Sequence, residues 1–311
     1  MNDTGSPRCA VGLDIGSNTF SCAEIVIDPS GAPLVVKDIS RAVRLSEDLL
    51  PGGRLKKSAV ARGLDALGDL VRDFDMAGKP FRVVATAVLR MTSHPQDFTD
   101  PAEEILGSDV EIIDGEGEAL LVSRGAVLDL EPAANGAGWI IADVGGQSTE
   151  VCQISGAATV NPVSMPLGVV GLTERFLNDD PPTVEQISNL ENYVFEQVSK
   201  LLPSNPAGRL VGVAGTATTL GMLELGRTSW DRSAVHGLEI SRAASLDWQK
   251  RMTEIDAQAR QDRFGITGLR ADVFPAGLCI INTLLKYFER DEFTVSANGL
   301  RIGAALSILK G

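Results

Sequence analysis

The chain contains 311 residues, of which 44% are hydrophobic and 22% charged, as expected of a soluble globular protein large enough for two domains. Its 28 lysines and arginines face 41 aspartates and glutamates, and the net charge of −13 argues against a general nucleic-acid-binding protein. With only two histidines and four scattered cysteines, the composition also argues against a zinc site and a Ser-His-Asp hydrolase.

The apolar segments are too short to cross a membrane. The longest, around residues 279–285, falls far short of the ~20 residues that a membrane helix needs. Residues 1–8 contain no apolar signal region. A cytoplasmic protein with reduced cysteines and no membrane partner is therefore expected.

Strand-like and helix-like segments alternate along the first half of the chain. Strands are predicted at residues 11–15, 21–27, 34–39, 81–85 and 110–113. A helix is predicted at 58–74, where Val60, Leu64, Leu67 and Val71 recur at helical spacing.

The second half continues the alternation after a turn-rich connector at residues 130–138. Strands are predicted at 139–143 and 209–213. Thr183 is the predicted N-cap of a long amphipathic helix, and a largely apolar helix is predicted at 273–288. This order indicates α/β architecture throughout.

One pattern occurs twice. Residues 13–19 read LDIGSNT and residues 142–149 read ADVGGQST, so that Asp14 and Asp143 each end a strand before a glycine turn. Another strand-like segment follows each turn, at 21–27 and 151–154. The repeat predicts a duplicated strand–turn–strand unit, one per domain, with two phosphate-facing turns on opposite walls of a cleft.

The first turn has the composition of a phosphate-binding turn. Gly16 permits a close approach of the backbone, and the next three residues supply amide and side-chain donors. A plain hairpin turn is the alternative. A third segment, VAGTATT at 213–219, offers similar groups after a strand, although such turns serve many folds.

Four charged residues are candidates for chemistry. Asp143 ends an apolar strand, and a magnesium ion held with Glu150 would explain both acids, unless Glu150 points into solvent. Glu118 is either a general base or a helix N-terminal acid favoured by the helix dipole. Arg90 is either a bidentate phosphate clamp or a solvent-exposed charge.

Together these segments resemble the exopolyphosphatase/guanosine pentaphosphate phosphohydrolase family, within the superfamily of acetate and sugar kinases, heat-shock chaperone ATPases and actin. The resemblance runs in order from residue 11 to 309. The motifs that carry it are DIGSNTF at 14–20, RAVRL at 41–45, GRLKKSAVARGLDAL at 53–67, ATAVLR at 85–90, DGEGEALL at 114–121, DVGGQSTE at 143–150, MPLGVVGLTERF at 165–176, VAGTATTLG at 213–221, LRADVFPAG at 269–277 and SANGLRIGAAL at 296–306.

The resemblance implies a magnesium-dependent hydrolase that removes terminal phosphate from polyphosphate or guanosine pentaphosphate. Glu118 matches the catalytic base, Asp143 and Glu150 match the acids linked to metal binding and catalysis, and Arg90 matches the arginine facing the phosphate. The expected phosphate-binding residues are Asp14, Gly16, Ser17, Asn18 and Thr19, then Gly145, Gly146, Gln147 and Ser148, then Gly215, Thr216 and Thr218.

The chain departs from the family pattern at several positions. Gln147 stands where the family usually has a third glycine, Gly171 where it often has a basic residue, and Ile302 where it often has an acidic one. The sequence stops at Gly311, without the C-terminal helical domains of longer members. A preference for short polyphosphate chains, or a less processive reaction, is therefore expected.

The predicted fold is α/β, with two actin-like (ribonuclease H-like) domains and a central interdomain cleft. The first domain is expected at 1–128 with a returning segment at 299–311, and the second at 129–298. The alternatives to hydrolysis are a phosphotransferase of the same fold and a non-catalytic sensor that binds guanosine polyphosphates. A homodimer is plausible for short members, and the sequence itself indicates no interface.

Overall fold

The computed structural model describes residues 8–49, 52–131, 138–156, 158–202, 207–266 and 268–309. The strands are β1 (Cys9–Ile15), β2 (Thr19–Ile27), β3 (Pro33–Ala42), β4 (Phe81–Ala85), β5 (Glu111–Ile112), β6 (Trp139–Val144), β7 (Thr149–Ser155), β8 (Ala158–Met165), β9 (Arg209–Val213), β10 (Glu239–Ser241) and β11 (Glu292–Val295). The helices are α1 (Lys57–Phe74), α2 (Ala87–Met91), α3 (Gln96–Leu106), α4 (Gly115–Ala126), α5 (Val169–Phe176), α6 (Val184–Leu201), α7 (Ala214–Glu224), α8 (Arg232–Val235), α9 (Arg242–Thr253), α10 (Ala257–Phe264), α11 (Gly268–Ala271), α12 (Phe274–Tyr287) and α13 (Leu300–Leu309). No helix within these ranges is long and apolar enough to cross a membrane.

The chain divides into two compact units, each built on one sheet. The first unit comprises Met1–Gly125 and Gly299–Gly311, and the second comprises Ala126–Asn298. The strand order is β3-β2-β1-β4-β5 in the first unit and β10-β11-β9-β6-β7-β8 in the second. The predicted α/β class is confirmed.

The two sheets share one topology. In the first unit β1, β2 and β3 form an antiparallel meander, and β4 and β5 continue the sheet parallel to β1. In the second unit β6, β7 and β8 form the same meander, and β9 and β11 continue the sheet parallel to β6. The second sheet adds one antiparallel edge strand, β10. The repeated sequence pattern therefore marks equivalent turns, between β1 and β2 and between β6 and β7.

Most predicted elements lie where the sequence indicates. Strands β4 and β9 have the predicted bounds, and the segment predicted at 110–113 is paired only over Glu111–Ile112. Thr183 begins α6 through a capping box, in which its hydroxyl accepts from the Gln186 N–H at 3.2 Å and the Gln186 side chain accepts from the Thr183 N–H at 3.2 Å. Most of the predicted connector, 132–137, lies outside the described residues.

Helix α13 packs against β1 at unusually short range. A Cβ at Gly12 would lie 1.9 Å from the Arg301 carbonyl oxygen and 2.7 Å from the Ala305 nitrogen. A Cβ at Gly303 would similarly lie 1.8 Å from the Leu121 carbonyl oxygen on α4. Glycine at these positions lets the backbones of helix, strand and neighbouring helix approach more closely than any side chain permits.

The chain leaves the first unit after Gly125 and returns at Gly299. These two residues lie against each other, because a Cβ at Gly125 would lie 2.3 Å from the Gly299 carbonyl oxygen. The two points at which the first unit is interrupted are therefore neighbours.

The two ends of the second unit are also held together. His236 accepts the Ala297 N–H at Nδ1 (3.1 Å), so its Nε2–H donates to the Leu128 carbonyl (2.9 Å). The Ser296 hydroxyl donates to the Ala126 carbonyl at 2.7 Å. Burial is the main cause that lowers the pKa of His236, which keeps the imidazole neutral.

Candidate functional site

The first turn, residues 16–19, is closed by its own backbone. The Gly16 N–H donates to the Thr19 carbonyl at 3.2 Å, and a Cβ at Gly16 would lie 2.7 Å from that oxygen. The Ser17 and Asn18 carbonyls accept from backbone N–H groups of residues 43–46. Within the described ranges, the N–H groups of Ser17 and Asn18 donate no hydrogen bond, as expected of a turn that binds anions through its amides.

The second turn, residues 145–148, has the same shape. The Gly145 N–H donates to the Ser148 carbonyl at 2.9 Å, and the Gly145 and Gly146 carbonyls accept from the N–H groups of Val169 and Val170. The first turn of α5 presses against it so closely that a Cβ at Gly168 would lie 2.1 Å from Gln147 backbone atoms. Both turns thus direct carbonyl oxygens toward a neighbouring backbone segment.

Gln147 and Gly171, two departures from the family pattern, lie against each other. The Gln147 side-chain oxygen lies 3.1 Å from the position that a Cβ on Gly171 would occupy. Gln147 is also the equivalent of Asn18 in the first turn, so both turns carry an amide side chain at one position. The Gln147 side chain therefore uses space that is open because residue 171 is glycine.

The two predicted metal ligands are direct neighbours. Asp143 on β6 and Glu150 on β7 are cross-strand partners, so their side chains share one face of the sheet. Glu150 is only 3% exposed, and its Oε1 accepts from the Ser164 hydroxyl at 2.6 Å. Burial, and then the charges of these two acids, raise the pKa of the Cys152 thiol to about 12, so this cysteine is not a nucleophile at neutral pH.

This pair fits a magnesium ion that is shared with a substrate. Mg²⁺ is usually bound through one or two carboxylates together with phosphate oxygens and water. In the described part of the chain, no three or more His, Cys, Asp or Glu side chains form a cluster that could hold a metal. Among the described residues, this pair would therefore supply two carboxylate ligands rather than a complete cage.

Glu118 and Arg90 form a partly buried ion pair. Arg90 lies in the last turn of α2 and Glu118 lies in the first turn of α4, and the Glu118 side chain is only 9% exposed. Arg90 Nη1 donates both to Glu118 Oε2 at 2.9 Å and to the Ile113 carbonyl at 2.6 Å. Among the residues that the structure describes, the other Arg90 nitrogens have no partner, so that edge of the guanidinium remains available to an anion.

The third segment differs from the prediction. The segment at 213–219 was predicted as a turn after a strand, but α7 begins at Ala214, so Gly215 and Thr216 lie in its first turn. The Thr216 side chain packs against Gly277, whose Cβ would lie 2.3 Å from the Thr216 hydroxyl oxygen, and the Thr218 hydroxyl donates to the Ala214 carbonyl at 3.0 Å. Anion binding here would therefore use backbone N–H groups of the helix N-terminus and not these hydroxyls.

Arg270 is a candidate that the sequence analysis did not single out. Its guanidinium lies 3.1 Å from the position of a Cβ on Gly215, and its Nη1 donates to the Thr219 hydroxyl at 3.1 Å. Burial lowers the pKa of Arg270, and no carboxylate of the described ranges forms an ion pair with it. The LRADVFPAG segment at 269–277 was the available signal.

In each unit the candidates gather at one edge of the sheet. In the first unit the glycine turn follows β1, Arg90 lies on the helix after β4, and Glu118 lies on the helix after β5. In the second unit the turn follows β6 and helix α7 follows β9. Ligands of α/β sheets bind at this edge, outside the carboxyl ends of the parallel strands.

Comparisons with known proteins give one consistent result. Residues 25–311 match the family model described as the Ppx/GppA phosphatase family. The chain is 32% identical over 319 aligned residues to Exopolyphosphatase 2 of Mycobacterium tuberculosis. This alignment covers 95% of this chain and 97% of that protein. It is 29% identical to the guanosine-5'-triphosphate,3'-diphosphate pyrophosphatase of Vibrio atlanticus over 99% of this chain, but spans only 61% of that relative's length.

A solved structure gives the same answer for the fold. The crystal structure of the Aquifex aeolicus member of the Ppx/GppA family superposes with a TM-score of 0.82 at 29% identity, covering 97% of this chain and 98% of that one. The predicted actin-like α/β fold is thereby confirmed.

Proposed function

Because the chain belongs to the Ppx/GppA phosphatase family, we propose that it is a metal-dependent exopolyphosphatase that hydrolyses the terminal phosphate of inorganic polyphosphate. Guanosine pentaphosphate is the second substrate in this proposal. The observation that carries it is the pair of cross-strand acids, Asp143 and Glu150, beside an amide-lined glycine turn. The relative that matches over nearly its full length is named an exopolyphosphatase, which favours polyphosphate as the main substrate.

The turns are assigned to phosphate binding. Backbone N–H groups of residues 17–18 in the first turn and 146–148 in the second, together with the N-terminus of α7, would bind phosphate oxygens. Such groups are already oriented before substrate arrives, so they stabilise developing charge without further reorganisation.

Asp143 and Glu150 are the residues that would hold Mg²⁺. The bound ion would neutralise phosphate charge in the transition state. The Ser164 hydroxyl donates a hydrogen bond to the Glu150 carboxylate and would hold it in the orientation needed to bind the metal.

Glu118 is assigned to the attacking water, and Arg90 to both Glu118 and the phosphate. Arg90 Nη1 holds the carboxylate in one orientation, and its remaining N–H groups would bind an oxygen of the terminal phosphoryl group. Glu118 would accept a proton from water as the new P–O bond forms and the P–O bond to the shortened polyphosphate breaks. The loose transition state of phosphoryl transfer needs positioning more than a strong base, so an ion-paired carboxylate suits this step.

Other predictions about the protein remain open to experiment. An active site in a cleft between the two domains, a homodimer and a cytoplasmic location stay predictions. The alternative of a non-catalytic sensor that only binds guanosine polyphosphates is disfavoured by the position of Gln147. Its side-chain oxygen lies beside Gly171, in space that is open because residue 171 has no side chain.

Phosphate release in the presence of Mg²⁺ tests the proposal. Long-chain polyphosphate, tripolyphosphate and guanosine pentaphosphate would be compared in the wild type, in Glu118→Gln and in the control Glu116→Gln, which lies in the same helical turn. Loss of a positioned general base costs about 10²–10⁴-fold in rate, so Glu118→Gln should lose that much while Glu116→Gln retains activity. The proposal is wrong if no substrate is hydrolysed, or if both variants behave alike.

A further inference from the structure

Arg260 on α10 is a buried charge that the proposed reaction does not use. Its side chain is only 1% exposed, and a charge so deeply buried needs a partner for its donors. Its Nε donates to the Met252 carbonyl at 2.7 Å, and its Nη1 donates to the Ala271 carbonyl at 3.0 Å. Its Nη2 lies 3.1 Å from Asp180 Oδ1 in an ion pair. The guanidinium therefore joins α9, α11 and the loop before α6.

Two of the three acceptors are carbonyls at helix ends. Met252 lies in the last turn of α9, and Ala271 is the last residue of α11. Carbonyls in the last turn of a helix have no donor within the helix and carry the negative end of its dipole, so a cation is favourable there. Helix α11 has only four residues and is too short to be stable alone. Its position therefore depends on contacts such as the one from Arg260.

Helix α11 carries Arg270, the cation at the start of α7. The Arg270 Cζ, Nη2 and Nε atoms lie 3.1, 3.1 and 3.2 Å from the position of a Cβ on Gly215, so the plane of the guanidinium faces the first turn of α7. The Arg270 Nη1 also donates to the Thr219 hydroxyl at 3.1 Å. Arg270 is bonded directly to Ala271, the residue that Arg260 holds. A shift of α11 would therefore move this guanidinium relative to the N-terminus of α7.

Asp180 fixes Arg260 from the opposite side. Its Oδ2 accepts from the Ala257 N–H at 2.7 Å, at the first residue of α10, while its Oδ1 forms the ion pair with Arg260. One carboxylate thus holds both the start of α10 and the side chain that reaches from α10 to α11. The contacts form a continuous chain from Asp180 through Arg260 and Ala271 to Arg270.

We propose that Arg260 is a positioning residue for substrate binding. It fixes the end of α11 and thereby holds the Arg270 guanidinium at the N-terminus of α7, where both can bind phosphate oxygens. This inference rests on the proposed function, which assigns phosphate binding to that N-terminus. An arginine that only stabilised the fold would change the free energy of unfolding, and its effect on substrate affinity would not depend on Arg270.

A double-mutant comparison of tripolyphosphate binding tests this dependence. Calorimetry with Mg²⁺ would use the full chain carrying Glu118→Gln to suppress turnover. Arg270→Gln and Arg260→Lys should each weaken binding about tenfold, because a charged hydrogen bond is lost or displaced. Both together should stay within about twofold of Arg270→Gln alone, because Arg260 acts through Arg270. Losses that multiply, or no loss in Arg260→Lys, would overturn the proposal.

The matched control is Arg251→Gln on α9. The Arg251 guanidinium lies 3.8 Å from the ring centre of Trp248, and Arg251 donates to no carbonyl of α11 in the described part of the chain. This variant should bind tripolyphosphate as the parent protein does. A loss as large as that of Arg260→Lys would show that any change of arginine in this region weakens binding, and would overturn the assignment.

Kinetics separate positioning from stability. Arg260→Lys should raise KM for polyphosphate about tenfold with kcat within about twofold of the wild type, since the interaction serves binding and not the chemical step. A smaller folded fraction alone would lower kcat and leave KM unchanged, which would contradict the positioning role.

Asp180→Asn decides the question if Arg260→Lys does not fold. The Asp180 side chain is 46% exposed, and asparagine keeps an acceptor for Ala257 while removing the charge opposite Arg260. Tripolyphosphate binding should weaken about threefold, and it should not weaken further when Arg270→Gln is already present. Equal losses with and without Arg270→Gln would overturn the proposal.

The two proposals fail in different ways. A wild-type chain that hydrolyses no substrate, while its variants show the expected binding pattern, would refute the proposed reaction and leave the role of Arg260 supported. Hydrolysis by the wild type, with independent losses from Arg260→Lys and Arg270→Gln, would support the reaction and refute the role of Arg260.

Discussion

Replacing Gly12 by alanine gives a direct test of how closely α13 approaches the first sheet. The added Cβ would lie 1.9 Å from the Arg301 carbonyl oxygen and 2.7 Å from the Ala305 nitrogen. Both obstacles are backbone atoms, so no change of rotamer relieves the contact. Restoring a 3.0 Å separation requires α13 and β1 to move apart by roughly 1 Å.

This displacement has an energetic cost that can be stated in advance. Overpacking of a core typically costs about 1–3 kcal/mol, and a backbone obstacle on both sides places Gly12→Ala at the upper end of that range. Moving α13 also stretches the buried Arg301–Asp38 pair, whose disruption leaves an uncompensated charge. We expect a loss of about 3 kcal/mol in the free energy of unfolding, equivalent to a Tm decrease of about 6–12 °C for a unit of this size.

Chemical denaturation followed by far-UV circular dichroism measures this loss. The matched control is Gly68→Ala in α1, where the new Cβ would meet only the flexible end of Arg72 at 3.5 Å. Alanine is a better helix former than glycine, so the control should gain about 0.5–1 kcal/mol. A loss below about 1 kcal/mol for Gly12→Ala, or a change of the same sign in both variants, would refute the reasoning.

Three further predictions concern other parts of the chain. Because burial lowers the pKa of His236 below 6.5, the unfolded chain takes up that proton first as the pH falls. Urea unfolding should therefore show stability falling as the pH drops below 6.5, and an unchanged slope in His236→Gln would contradict this. Gly277→Ala places a Cβ 2.3 Å from the Thr216 hydroxyl oxygen and should lower the free energy of unfolding by about 1–3 kcal/mol. Adding Thr216→Ala should restore most of this loss, and a double variant no more stable than Gly277→Ala alone would count against that contact. Thr183→Ala removes the hydroxyl that accepts from the Gln186 N–H and should lower the free energy of unfolding by about 1 kcal/mol in the same assay. An unchanged denaturation midpoint would disprove the capping role of Thr183.

Local signals in the sequence were sufficient for most elements of the fold. The predicted bounds of β4 and β9 agree with the structure because buried apolar segments end there at residues that begin helices or turns. Thr183 was identifiable as a cap because the capping box lies within four consecutive residues. The third segment was not predictable in this way, since Ala214 adopts a left-handed conformation (φ of 66°) that side-chain-bearing residues rarely take, and the helix begins there directly.

The candidate site shows the complementary limit. The sequence identified Arg90 and Glu118 separately, but their ion pair depends on β4 and β5 being neighbours in the sheet. Arg301 and Asp38 are 263 positions apart, so no local pattern connects them. Residue type and spacing therefore indicated which groups carry chemistry, whereas the partner of each group was set by strand pairing and helix packing.

Because Gly125 and Gly299 are neighbours, the chain could be cut and rejoined at this point. A chain in which residues 126–298 are removed would need only a short bridge between these two glycines, because they already touch. The excised segment would likewise begin and end at residues joined through the Ser296–Ala126 hydrogen bond, so its own termini could be linked and new ones opened in a surface loop. In its connectivity one compact unit is inserted into a single junction of the other, so circular permutation or exchange with a relative would cut the chain only at these neighbouring ends.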